Sequence, residues 1–135
     1  QAVKNDTATF TTTSFTDITG LSASITPAST GSKILVLASV FASTNNNVVM
    51  LNLVRGSTNI AQPSGSSNAG TAHSYVAYDS MDLLNISFLD SPNTTNSTTY
   101  KIQVKGINTL LIGINRFVSD DYHAISTLTL TEVAA

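Results

Sequence analysis

The chain has 135 residues, enough to enclose one hydrophobic core without disulfides or metals, so a single domain over 1–135 is expected. Only 10% of residues are charged, the net charge is −2, and the six basic residues Lys4, Lys33, Arg55, Lys101, Lys105 and Arg116 are scattered, which excludes the basic stripe a nucleic-acid ligand needs. There is no cysteine, and with it go disulfides, thiolate metal sites and thiol nucleophiles.

Along the chain the apolar residues recur mostly at period two, and no window carries the i, i+3, i+4, i+7 stripe of an amphipathic helix, which predicts an all-β fold. Segments 7–13 and 15–19 are Thr-rich and β-branched, with Phe10 and Phe15 of opposite parity, so a bulge or tight bend is expected between them. After Gly20, the residues Leu21, Ala23 and Ile25 alternate with Ser22, Ser24 and Thr26 as a half-buried strand, which Pro27 ends. Segment 33–42 is apolar at both parities, with Ile34, Val36, Ala38 and Val40 on one face and Leu35, Leu37 and Phe41 on the other. Both of its faces are expected to be covered.

A loop at 45–47 leads into a second such strand, 48–55, with Val49, Leu51 and Leu53 opposed to Val48, Met50 and Val54. Two doubly apolar strands exceed what one core layer needs. The spare faces are therefore expected to pack against a neighbouring subunit, through Leu35, Leu37, Phe41, Val48, Met50 and Val54. Segment 57–72 is rich in Gly, Ser and Asn and is the longest expected loop, with a short strand near 59–61. Strands follow at 73–78 and 82–89, then a polar loop over 90–97 containing Pro92. Tyr100, Ile102 and Val104 alternate with Lys101, Gln103 and Lys105, which assigns the lysines to a solvent face. Segments 110–115 and 125–133 complete nine or ten short strands, a count that points to a sandwich or jelly roll.

The longest apolar run, 34–40, is too short to span a bilayer, and no charged segment followed by an apolar stretch marks an export signal, so a soluble chain without membrane insertion is expected. Gln1 in place of Met suggests that residue 1 is not the gene start.

His73 and His123 have no Cys, His or carboxylate at metal-ligand or triad spacing; no catalytic residue, metal or cofactor is expected, and both histidines read as ordinary loop or strand-end residues. Asp120 and Asp121 with Ser119 and Asn115, and Asp79 with Asp82, have oxygen donors suited to calcium but match no defined calcium loop, and solvated turns account for them. Tyr75, Tyr78, Phe117 and Tyr122 offer ring faces to a sugar, with Asn68, His73, Asp120 and Asp121 as polar neighbours. A receptor-binding surface is accordingly expected in loops 62–72 and 116–123, against the plainer reading in which the rings pack at a subunit seam.

The segments Thr12-Thr-Ser-Phe-Thr-Asp-Ile-Thr-Gly-Leu-Ser-Ala-Ser-Ile-Thr-Pro27, Ser32-Lys-Ile-Leu-Val36, Leu53-Val-Arg-Gly-Ser-Thr58, Phe88-Leu-Asp-Ser-Pro92, Thr99-Tyr-Lys101, Asn115-Arg116 and Ser126-Thr-Leu-Thr-Leu-Thr-Glu-Val-Ala-Ala135 together span nearly the whole chain. Read in this order they resemble a domain at the C-terminal end of bacteriophage tail-fibre and related virion proteins, while 42–47 and 62–78 depart freely. The resemblance implies a jelly-roll-like antiparallel sandwich of the tumour-necrosis-factor and C1q type, assembled as a homotrimer on the exterior of a virion. It also implies structural roles for Asp90, as a cap of the turn that Pro92 rigidifies, and for Arg116, bonded to backbone carbonyls or an acidic loop.

The expected function is a non-enzymatic tail-fibre or receptor-binding head that contacts a host glycan or protein, with other virion proteins as partners. A capsid decoration or head-fibre protein of the same fold is the first alternative. A carbohydrate-active fibre enzyme is disfavoured, because adjacent Asp120 and Asp121 diverge along an extended backbone and do not form a pair across a groove.

Overall fold

The computed structural model describes residues 1–118 and 121–135. The described residues form eleven strands and no helix: β1 (Ala2–Lys4), β2 (Ala8–Phe10), β3 (Thr16–Ile25), β4 (Lys33–Thr44), β5 (Asn47–Arg55), β6 (Thr58–Asn59), β7 (Ala72–Val76), β8 (Asp82–Asp90), β9 (Thr98–Gly106), β10 (Ile112–Ile114) and β11 (Ser126–Val133). They make two antiparallel sheets that face each other across one core. The all-β, sandwich-like reading of the period-two pattern is thereby established.

In the first sheet β4 is central. One edge pairs with β8, from Ile34 opposite Asp90 to Ala42 opposite Asp82. Its other edge is shared by two strands, β11 opposite Lys33 to Ser39 and β10 opposite Ala42 to Thr44. β1 adds to β11, and β2 adds to β10. Thus β10 and β11 are two parts of one strand path interrupted by residues 115–125, and β1 and β2 flank a matching interruption at 5–7. The second sheet runs β3, β9, β5, with β7 and β6 sharing the far edge of β5.

The core is what alternation dictates. Ile34, Val36, Val40, Ile112, Ile114 and Leu128 of the first sheet meet Leu21, Val49, Leu51, Leu53, Tyr100, Ile102 and Val104 of the second, all fully buried. At about 25 cal/mol per Å² of apolar surface removed from water, these side chains supply the main drive to fold.

Four sequence-based expectations change. The irregularity expected between Phe10 and Phe15 is the crossing from β2 in one sheet to β3 in the other, and the bulge lies further on. Between Asp17 and Ser22 the chain advances five positions while its partner moves from Gln103 to Lys101, with Gly20 at φ +91°. The first strand, β1, lacks the length to show any periodicity. Lys105 is not on a solvent face: it is 7% exposed, its ammonium 4.9 Å from the centre of the Phe15 ring and bonded to the Ser67 carbonyl.

The fourth concerns the spare apolar faces. Met50 and Val54 are only 4% and 2% exposed within the single chain. The return of the chain between β6 and β7 covers the outer side of β5, where Gly70 sits so close that a Cβ added to it would lie 3.2 Å from the Met50 Cβ. Asn52, between them, donates to Asn59 and Gln103, Asn59 donates to Gln62, and Gln62 donates to the Ala69 carbonyl. This amide chain stitches the segment to the sheet, so Met50 and Val54 are removed as subunit contacts. Val48 is half-buried on the same side. Leu35, Leu37 and Phe41 face outward from the first sheet instead, and the expectation that one seam unites both sets is corrected: they lie on opposite sides of the sandwich.

Candidate functional site

The excursion 115–125 leaves the first sheet at a polar node. Asn115 is fully buried with φ +59°, a left-handed conformation that Asn tolerates and that turns the chain out of the strand. Its Nδ2 donates to the carbonyls of Lys4 (2.7 Å) and Asp6 (3.0 Å), and its Oδ1 accepts from Ser126 Oγ at 2.5 Å. Ser126 Oγ in turn accepts from the Phe41 amide. The side chain of Asn115, weighed above as a calcium ligand, is thus fully buried and turned into this node. Asp82, from the second acidic pair, accepts from Ser74 and Ser80. Among the described residues no group of three or more His, Asp or Glu is arranged to hold a metal.

Beyond the node, Arg116 and His123 bridge the two arms of the excursion, and the Phe117 amide donates to the Tyr122 carbonyl. The rings of Phe117 and Tyr122 lie 5.1 Å apart at 55°, a tilted pair within the favourable range. Arg116 Nε donates to the Phe117 carbonyl at 2.9 Å, a bond to backbone of the kind its motif implies, and Ser43 Oγ donates to the Arg116 carbonyl. His123 Nε2 stands 3.0 Å from Asp121. Tyr122 is exposed, whereas Phe117 is half-buried beneath it. Asp120 and Ser119 lie outside the described residues.

The remaining expected contact residues stand elsewhere. His73 and Tyr75 are exposed on β7, opposite Met50 and Val48, at the edge of the second sheet. Tyr78 is exposed in the β7–β8 connection, where its amide donates to Asn46 Oδ1. Asn68 is exposed in the segment that covers β5. Loops 62–72 and 116–123 are anchored to opposite sheets.

A third feature escaped the sequence reading. The turn after β5 and the 91–97 connection enclose a cleft of about 290 Å³ lined by Arg55, Gly56, Pro92, Thr94, Ser97, Thr98 and Thr99. Arg55 Nη1 donates to both oxygens of Asp90 at 2.9 and 2.8 Å and to the Ser91 carbonyl. Tyr100, fully buried below, donates its hydroxyl to Asp90 Oδ2 at 2.6 Å. Burial, reinforced by the Asp90 carboxylate, pushes the Tyr100 phenol well above the usual range, so it stays a donor. Asp90 thus acts as the acceptor of an Arg–Tyr pair, which replaces the turn-capping role its motif implies. The sequence signal was Arg55-Gly56 and the hydroxyl-rich run 94–99, but only the register Arg55 opposite Tyr100 brings them together.

In comparison with known proteins, no family model matches the chain, and no curated protein matches it.

Proposed function

We propose that the chain is a non-enzymatic bacteriophage virion protein whose sandwich is a jelly roll assembled as a homotrimer on the outside of the particle, most directly as a tail-fibre or receptor-binding head. Strand order supports the jelly roll. If each interrupted path (β1/β2, β6/β7, β10/β11) counts as one strand, the sheets read 1-8-3-6 and 2-7-4-5, the order that two nested Greek keys generate.

The observation that carries the assembly is the outer face of the first sheet. Leu37, Leu83 and Leu89 are 42%, 46% and 48% exposed there. Ladder register places Leu35 opposite Leu89 and Phe41 opposite Leu83, two apolar pairs with Leu37 beside the first, separated by the hydrogen-bonded polar pair Ser39–Asn85. Exposed apolar clusters of this kind support an interface, and a threefold seam would bury them in all three copies. Exposed Tyr75, Tyr78 and Tyr122 then supply contacts to a host glycan or protein, repeated three times per head, so that weak individual sites add up by avidity.

Mass photometry tests the assembly: a particle of three 14.1 kDa chains is expected, and a stable monomer at micromolar concentration overturns it. Adsorption of the purified protein to host cells is the expected outcome for a receptor-binding head. Strong binding to capsids with no adsorption to cells would replace that role with shell decoration.

A further inference from the structure

We infer that the Arg55 cleft is a binding site for a carboxylate-bearing sugar ring of the uronate type. This goes beyond the assembly reading and does not depend on it, because the cleft is complete within one chain.

Three features define the ligand. First, only Nη1 of Arg55 is engaged; Nε and Nη2 make no hydrogen bond among the described residues. The Nε/Nη2 edge of a guanidinium is a planar fork that matches a carboxylate with two parallel hydrogen bonds. The guanidinium is anchored through Nη1 to Asp90, itself fixed by the buried Tyr100 hydroxyl, so little side-chain entropy is lost on binding.

Second, charge selects against dianions. Asp90 sits within 2.8 Å of the guanidinium and cancels most of its field, so a phosphate-like ligand gains little from attraction and meets a fixed negative charge just beyond. A monoanion recognised by geometry fits better. Third, the rest of the wall comes from Thr94, Ser97, Thr98 and Thr99, with Pro92 as an apolar side; the Thr94 hydroxyl accepts from the Asn96 amide, that of Thr98 donates to the Asn96 carbonyl, and that of Thr99 bonds Ser24. The Ser97 hydroxyl and the capacity left on the threonines suit a polyol, and the proline ring suits the C–H face of a pyranose. A volume of 290 Å³ lies at the lower limit of about 300 Å³ typical of small-molecule pockets, room for a single ring and not a chain.

The test is an NMR titration of the full chain with sodium glucuronate, methyl glucoside and inorganic phosphate. Glucuronate is expected to shift the amides of Gly56, Ser97, Thr98 and Thr99 with saturation in the millimolar range, and both other probes to bind at least tenfold more weakly. Arg55→Gln should abolish the response. Because that change also strips Asp90 of its partner, Ser97→Trp is the second variant: it fills the cleft while leaving the Arg55–Asp90–Tyr100 group intact, and it too should abolish binding with an unchanged melting temperature. No saturable shift at these amides, equal binding of methyl glucoside or phosphate, or full binding by a folded Ser97→Trp protein overturns the assignment.

Discussion

Asn115 and Ser126, the first residue of one interruption in the sheet and the first after it, close the gap between β10 and β11 with a buried side-chain hydrogen bond of 2.5 Å. Through Asn115 Nδ2 the same contact reaches the carbonyls of Lys4 and Asp6, in the matching interruption between β1 and β2. The excursion 115–125 can leave the middle of a sheet because one amide replaces the ladder bonds that the break removes.

Replacing Asn115 by Ala removes the side-chain donor to two carbonyls and the acceptor of the Ser126 hydroxyl proton, and places a Cβ-bearing residue without a compensating side-chain bond at φ +59°. A loss of about 2–4 kcal/mol is expected. Asn115→Asp should cost at least as much, since a carboxylate would face two carbonyl oxygens. Urea denaturation of the three proteins measures both, and a loss under about 1 kcal/mol for Asn115→Ala would show that the break is supported elsewhere.

Tyr100→Phe removes the hydroxyl bonded to Asp90 without changing the packing of the ring. A hydrogen bond to a charged group is worth about 1.5–3 kcal/mol, and that loss is expected near neutral pH. The alkaline side adds a second signature. An unfolded tyrosine ionises near about pH 10, whereas the folded phenol holds its proton to a higher pH. The contribution of Tyr100 is therefore complete below pH 10 and falls as pH rises above it. Denaturation at pH 8 and pH 11 should show the gap between wild type and Tyr100→Phe narrowing.

Acid acts through Asp17. Lys101, and after it Gln103, donate to its carboxylate and hold it below the usual range. Its stabilising effect is present above the unfolded value near about pH 3.9 and is lost as pH falls through the lower folded value. The pair is largely exposed, so the effect is small, about 0.2–1 kcal/mol, and weakens with salt. Asp17→Asn should flatten this part of the acid limb in urea titrations between pH 5 and pH 2, and identical limbs in the two proteins would count against it.

Assembly and folding separate by residue. Leu37→Glu and Leu83→Lys, each alone, should convert the proposed trimer to a folded monomer with little change in circular dichroism, because both side chains point away from the core. Met50→Ala should do the reverse, costing about 2–5 kcal/mol of stability while leaving the oligomer intact, because the chain itself already buries Met50. Sedimentation velocity paired with thermal melts distinguishes the two effects.

Strand identity was legible wherever alternation ran long enough, as at Leu21–Ala23–Ile25 and Tyr100–Ile102–Val104, because a side chain's face follows from backbone geometry alone. The three-residue strands β1, β2 and β10 carry too few residues to show a period. Their existence depends on partners more than a hundred residues away, as in Ala2 opposite Leu128 and Ile114 opposite Ala8. The same limit governs the candidate surfaces. Aromatic and polar loop residues could be named from the sequence, but nothing local says that 62–72 and 116–123 end up on opposite sheets.

By itself the sequence determined a cysteine-free, weakly charged, all-β chain with more apolar strand surface than one core can absorb. Tertiary structure alone decided which of that surface is spare. The period-two pattern of β4 and β5 is the same, yet the chain folds back over β5 through Asn52, Asn59 and Gln62 and leaves Leu37, Leu83 and Leu89 on the other side uncovered. The reason is physical: alternation specifies that a face is apolar, whereas what covers it is set by contacts between segments distant in sequence. The Arg55 cleft follows the same rule, for its walls come from β5 and from the loop before β9, and neither is a site until the ladder aligns them.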